Sequence, residues 1–194
     1  CLSSDILRTT LREMAKLESF KQATGYSVKD VRMEAQELAL RFIMFHRKYS
    51  ADTRLNNYSG NIESELNTLT ELLSKDKKYN YEFYINLFDN SMMNAYYLFG
   101  RYSFRKCRIE DVRPNAYRTL INKALFVSWS VLLSEYSNND IIAKNANESL
   151  ALPLAELISR DIDLFGYLTY STNSKVNIQA AFQAAKEIID ENLN

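Results

Sequence analysis

The residues that could do chemistry are few. The chain has one histidine, His46, and two cysteines, Cys1 and Cys107. A zinc site draws on several His and Cys ligands, and these three cannot supply them. A nucleophilic Cys/His couple would have to join Cys107 to His46. Cys107 stands among Arg105, Lys106 and Arg108, and positive neighbours lower a thiol pKa and favour the reactive thiolate. The alternative is an unreactive cysteine in a surface loop. His46 lies four residues after Phe42 and three before Tyr49, which suits a partly buried histidine near a helix end. The carboxylate pairs Glu63/Glu65, Asp161/Asp163 and Asp190/Glu191 fall at helix ends or on polar faces, where capping and solvation account for them better than metal binding. Met92-Met93 reads as packing. No phosphate-loop motif or dinucleotide fingerprint is present. With no convergent acid, base or metal set, the chain alone is not expected to be an enzyme, and no cofactor is expected in it.

Charge is the uneven feature. Lys+Arg and Asp+Glu both number 24, yet the two signs separate along the chain. Between Arg101 and Lys123 seven basic residues face only Glu110 and Asp111, a local net charge of +5. Residues 61–90 carry six acids against three bases, and residues 140–194 eight against four. Tyr102, Phe104 and Tyr117 interleave with the basic residues. Cations that neutralise phosphates beside aromatics that stack on bases are the ingredients of nucleic-acid contact. The candidate contact set is Arg101, Tyr102, Phe104, Arg105, Lys106, Arg108, Arg113 and Lys123. The same residues could instead be a basic loop docked onto an acidic surface of this protein or of a partner.

The elements that must position these residues are helical. Four glycines and two prolines in 194 residues are too few for the frequent turns of a β-sandwich or barrel. The chain is long enough to bury a core without disulfides or metal. We expect an all-α fold, an irregular multi-helix bundle of about seven to nine helices in one domain, residues 1–194. Ser3 or Ser4 is expected to cap the first helix, which carries Ile6, Leu7, Leu11, Met14 and Leu17 at helical spacing. A short turn, Glu18 to Ala23, stops at Gly25. Ser27-Val28-Lys29-Asp30 has the form of a capping box for a helix ending near Tyr49. Asn61 or Ser59 caps a helix bearing Ile62, Leu66, Leu69, Leu72 and Leu73. Tyr81 to Phe99 is apolar around much of its circumference and is expected to be central, with Gly100 at its end. Pro114 suits the first turn of a helix from about Asn115 to Tyr136. The remainder reads as three or four shorter helices, with Pro153 in a first turn and Ser174 capping the last. No apolar run approaches the roughly 18 residues of a membrane span, and two cysteines form no disulfide framework. A reduced, cytoplasmic protein with no membrane partner is expected. A terminal Cys1 also fits a lipoprotein, but it runs into an amphipathic helix without a polar tether.

Several pieces, taken in order, resemble a known family. Leu40-Arg41-Phe42-Ile43-Met44-Phe45 with Tyr49 resembles an "LRFxAF…Y" pattern. Phe99-Gly100-Arg101-Tyr102-Ser103-Phe104-Arg105-Lys106 resembles "FGxxxFRK", and Asn122-Lys123-Ala124-Leu125-Phe126 resembles "NKALF". Over residues 1–137 the set is similar to the helical C-terminal half of the GmrS-type domain family. That family pairs a ParB/sulfiredoxin-like N-terminal half with this helical half, and occurs in GmrSD-type, modification-dependent restriction systems against phage DNA. The Asp-Gly-Gln-Gln-Arg run of the family's nucleotide site is absent here, and Val127 stands where the family often has Glu. The resemblance implies an accessory helical domain of a longer DNA-targeting protein. Its partners would be a ParB-like half, which would hold and hydrolyse any nucleotide, and DNA. It assigns no catalytic role to Arg101, Arg105, Lys106, Asn122 or Lys123. The alternative is a helical interaction or homo-oligomerisation module with no nucleic-acid role, held through the aromatic helix Tyr81 to Phe99.

Overall fold

A computed structural model describes residues 2–29, 33–49, 54–76 and 79–193. Among these the fold is all-α. Ten helices are joined by loops and by two 3-10 turns, Gly100–Tyr102 and Ile109–Asp111. They are α1 (Leu2–Lys16), α2 (Glu18–Thr24), α3 (Glu34–Lys48), α4 (Ile62–Lys75), α5 (Tyr81–Phe99), α6 (Lys123–Leu133), α7 (Asn138–Ala143), α8 (Ala151–Arg160), α9 (Ile162–Tyr167) and α10 (Lys175–Asn192). The one sheet-like pairing among the described residues is an isolated bridge between Arg105 and Ile121.

The core is built around α5 and α6. Helix α5 packs against α1, α2, α3, α6 and α7, as its broad apolar surface predicts. Helix α6 is more deeply enclosed, with every residue from Ala124 to Leu133 buried between α3, α5 and α10. Ring contacts knit the two: Phe99 meets Trp129 at 4.6 Å, and Phe88 meets Phe126 at 6.4 Å. Buried Asn94 of α5 donates to the carbonyls of Leu133 and Tyr136, which satisfies acceptors that the end of α6 leaves open. One face of α10, carrying Ile178, Phe182, Ala185 and Ile189 at helical spacing, is buried.

Local signals set most boundaries. Asn61 and Ser174 cap α4 and α10 by accepting from the backbone N–H of Ser64 (3.1 Å) and Asn177 (3.3 Å). Pro153 lies in the first turn of α8. Gly25 ends α2 at φ +60°, and there Lys21 O accepts from Tyr26 N at 2.8 Å, closing the helix.

Three expectations fail. Helix α1 already runs from Leu2, so Ser3 and Ser4 lie inside it rather than capping it. Val28 and Lys29 after Ser27 are not helical, and the described α3 runs from Glu34 with Met33 as its N-cap. The Ser27 hydroxyl instead donates to Thr24 O at 2.7 Å. Asp30 and Val31, also assigned to that box and helix, lie outside the described residues, as does Cys1. Third, residues 115–122 are not helical, and α6 begins only at Lys123. Tyr117 and Leu120 are exposed, and Ala116 is the one buried residue of this stretch. Asn122 then nucleates α6 by accepting from the N–H groups of both Ala124 and Leu125 at 3.1 Å.

Candidate functional site

The basic segment crosses the surface as an irregular strap between α5 and α6, and its cations part company. The strap starts where α5 ends at Gly100, whose φ is +52° and where any Cβ would collide with the Glu148 side chain. The positive φ favours glycine here, and any larger residue would also have to displace the Glu148 carboxylate. Arg101 follows. Its guanidinium donates to Pro114 O and to Ala116 O (3.0 Å) and lies over the Tyr102 ring. The Tyr102 hydroxyl donates to Arg113 O at 3.0 Å. These bonds tie the far limb of the strap back onto its near limb and set Arg101 and Arg113 side by side.

Phe104 and Arg105 turn inward, a correction to the expectation that they contact nucleic acid or a partner. Phe104 is buried at φ +60° against Phe126, 4.8 Å between ring centroids. Arg105 is 2% exposed. It donates to Thr119 O, to Thr24 O at 2.7 Å and to the Ser27 hydroxyl at 2.9 Å. Two of these acceptors are carbonyls, one of them at the C-terminal end of α2, where helix geometry leaves such groups unsatisfied. Burial, with Arg118 nearby, pulls the Arg105 pKa down to about 10, so it stays charged at neutral pH.

Lys106 and Arg108 lean the other way, onto α9. Lys106 Nζ lies 4.0 Å from the centroid of the Phe165 ring and donates to the Thr169 hydroxyl at 2.6 Å. Arg108 lies over the same ring at 4.3 Å. Lys123 is absorbed by an ion pair, 3.1 Å from Glu37, whose same oxygen accepts from Arg41. Burial alone would raise the Glu37 pKa; Arg41 and Lys123 outweigh it and hold the carboxyl below its ordinary value of 4.5. Arg41, Asn122, Lys123 and Arg105, all from the motifs quoted above, thus serve the fold.

Neither member of the Cys/His couple is poised for chemistry. Cys107 is buried against Thr119, and burial pushes its thiol pKa up despite the cations around it. His46 sits among Phe42, Phe83 and Tyr84, and burial pushes its pKa down. Among the described residues no cluster of three or more His, Cys, Asp or Glu could hold a metal, and no helix is long and apolar enough to cross a membrane.

What the strap does assemble is a cleft of about 760 Å³ between α2, the end of α5 and the strap itself. Arg101 and Arg113 line it, and so does Arg118, whose guanidinium packs against Gly25 and donates to Gly25 O at 2.9 Å. Tyr26, Tyr96 and Tyr102 supply aromatic walls, and Glu148 is the one carboxylate among the lining residues. The candidate set contained Arg101, Tyr102 and Arg113 and lacked Arg118, Tyr26, Tyr96 and Glu148. Arg118 stood in the basic run, and Tyr26 follows the helix-ending Gly25. Tyr96 and Glu148 gave no sequence signal, because only packing brings them to the strap.

No protein-family model, no curated protein and no solved structure matches the chain.

Proposed function

We propose that this chain is an accessory helical domain of a GmrS-type DNA-targeting protein, packing on a ParB-like nucleotide-hydrolysing half and offering its arginine cleft to nucleic acid. The carrying observation is the convergence of Arg101, Arg113 and Arg118 on one tyrosine-walled cleft. Guanidinium forks match phosphate oxygens and stack on aromatic faces, so this grouping suits a polyanion with π-faces. The motif set supports the family and with it the ParB-like partner. Cytoplasmic placement belongs to the same reading. The test is fluorescence anisotropy with labelled DNA and the Arg113→Glu variant, with Arg160→Glu, at an exposed pair with Glu187, as the control. Affinity should fall at least tenfold for the first and stay within twofold for the second. Equal affinity for Arg113→Glu and wild type removes the cleft from DNA binding.

A second reading, a protein interaction or self-association module, is favoured by Tyr117 and Leu120, which are 89% and 82% exposed on the strap. The Tyr81 to Phe99 helix adds exposed Phe83, Met93 and Tyr96 to this reading, while its other large apolar side chains are buried in or packed against the core. Self-association through Leu120 should survive high salt and disappear in Leu120→Ser, measured as molar mass by light scattering.

A further inference from the structure

We infer that the cleft takes one unstacked nucleotide, an aromatic base bearing a phosphate, either free or as an unpaired residue of a strand. This rests on the phosphate-binding reading of the same cleft and narrows its ligand. The first argument is the scatter of positive charge. Neutralising a duplex backbone needs cations spread along a track. Here Arg105 is buried, Lys106 and Arg108 are committed to Phe165, and Lys123 is committed to Glu37. The grouped cations are those of the cleft, and they can surround one or two phosphates.

The second argument is shape. A volume of about 760 Å³ falls within the range of small-molecule sites, and its walls are aromatic. Tyr26 is 62% exposed and Tyr96 46% exposed, so both rings present open faces for base stacking, which does not require base pairing. The third is preorganisation. Arg101 and Arg118 are held by backbone carbonyls through some of their five donors, which leaves the others for a ligand at little entropic cost. Arg113 is exposed and has no ion pair among the described residues. The fourth is the carboxylate. Glu148 lies in an arginine-lined cleft without an ion pair to any of them, and suits an amino group of a base or a sugar hydroxyl. Tyr26 and Glu148 both sit at positive φ, +56° and +53°, a conformation that costs energy in non-glycine residues and concentrates at functional sites.

The test titrates the full chain with the four deoxynucleoside monophosphates, with inorganic phosphate alone, and with a 12-nucleotide single strand and its duplex. A monophosphate or the single strand should bind at least tenfold more tightly than inorganic phosphate and than the duplex. The log–log salt slope for the strand should be no steeper than about −1.4, the value for two neutralised phosphates at ~0.7 each. Tyr96→Ala, on an exposed helix position, should weaken nucleotide binding about tenfold and leave phosphate binding unchanged. Tyr26→Gly, which relieves the positive φ, should act in the same direction. Equal affinity for single strand and duplex, lost in Arg113→Glu, overturns the single-nucleotide inference and leaves DNA contact standing. Binding of a monophosphate with neither strand bound upholds the inference and overturns DNA contact. Absence of binding to every probe overturns both, and nucleotide affinity unmoved by Tyr96→Ala and Tyr26→Gly overturns the inference.

Discussion

Arg105 and Arg113 belong to one basic segment and occupy opposite environments. Arg105 has left water and gives its donors to Thr119 O, Thr24 O and the Ser27 hydroxyl. Arg113 stands on the rim of an open cleft with only its backbone engaged, its carbonyl accepting from Tyr102. The difference shows that a local excess of charge is two things at once. Part of it fastens the strap to the end of α2, and part remains available to a ligand. Arg118 does some of both, since it bonds Gly25 O while lining the cleft.

The sharpest way to break this comparison is to remove each arginine and measure folding. Arg105→Ala should lose about 3 kcal/mol of stability in urea or guanidinium unfolding, because buried carbonyl acceptors are left unpaired. Arg105→Glu should fail to fold, so charge reversal at this position tests the fold and not binding. A loss under 1 kcal/mol for Arg105→Ala would put Arg105 on the same footing as Arg113.

A smaller effect is expected where the strap enters α6. Asn122 caps two backbone N–H groups and donates to Leu168 O at 2.6 Å. Asn122→Ala should cost about 2 kcal/mol in the same assay, with DNA or nucleotide affinity measured below the transition unchanged.

Acid should act on the core and spare the cleft. His46 has its pKa lowered by burial from 6.5, so the unfolded chain binds a proton more readily than the folded one. Stability therefore falls as pH drops below about 6.5 and towards the lower folded value. The carboxyl of Glu37, held below 4.5, adds a second loss at lower pH. His46→Phe should flatten the first limb of the stability–pH profile and leave the second. An unchanged first limb would mean that His46 is solvated.

The smallest expected effect on stability is that of Arg113→Glu, within about 0.5 kcal/mol of wild type, paired with the at least tenfold loss of nucleic-acid affinity. Together with Arg105→Ala it gives a crossed pattern, stability lost at one arginine and binding at the other, and either half failing would collapse the distinction between them.

The helical elements were legible because their signals are local. The apolar spacing along α5 and α10, the caps at Asn61 and Ser174, and the stop at Gly25 all act within a turn or two of the residue concerned. The failures came where a local signal had a competitor. Ser27 could have capped a helix, but Thr24 O and Arg105 engage its hydroxyl. Pro114 could have opened a helix, but Tyr117 and Leu120 beyond it have nothing to pack on. Of the cleft, three residues stood in the candidate set.

By itself the sequence determined that this chain is a bundle of helices, that its metal and nucleophile inventory is thin, and that its positive charge gathers between Arg101 and Lys123. Only the tertiary structure decided which of those charges face outward. Arg105 and Arg118 find acceptors at the end of α2, Lys123 on α3 and Lys106 just beyond α9, so which charges are engaged depends on where those helices come to lie. Helix periodicity is a property of neighbours in sequence, whereas the burial of Arg105 and the meeting of Tyr26, Tyr96, Arg118 and Glu148 follow from contacts between segments far apart in the chain.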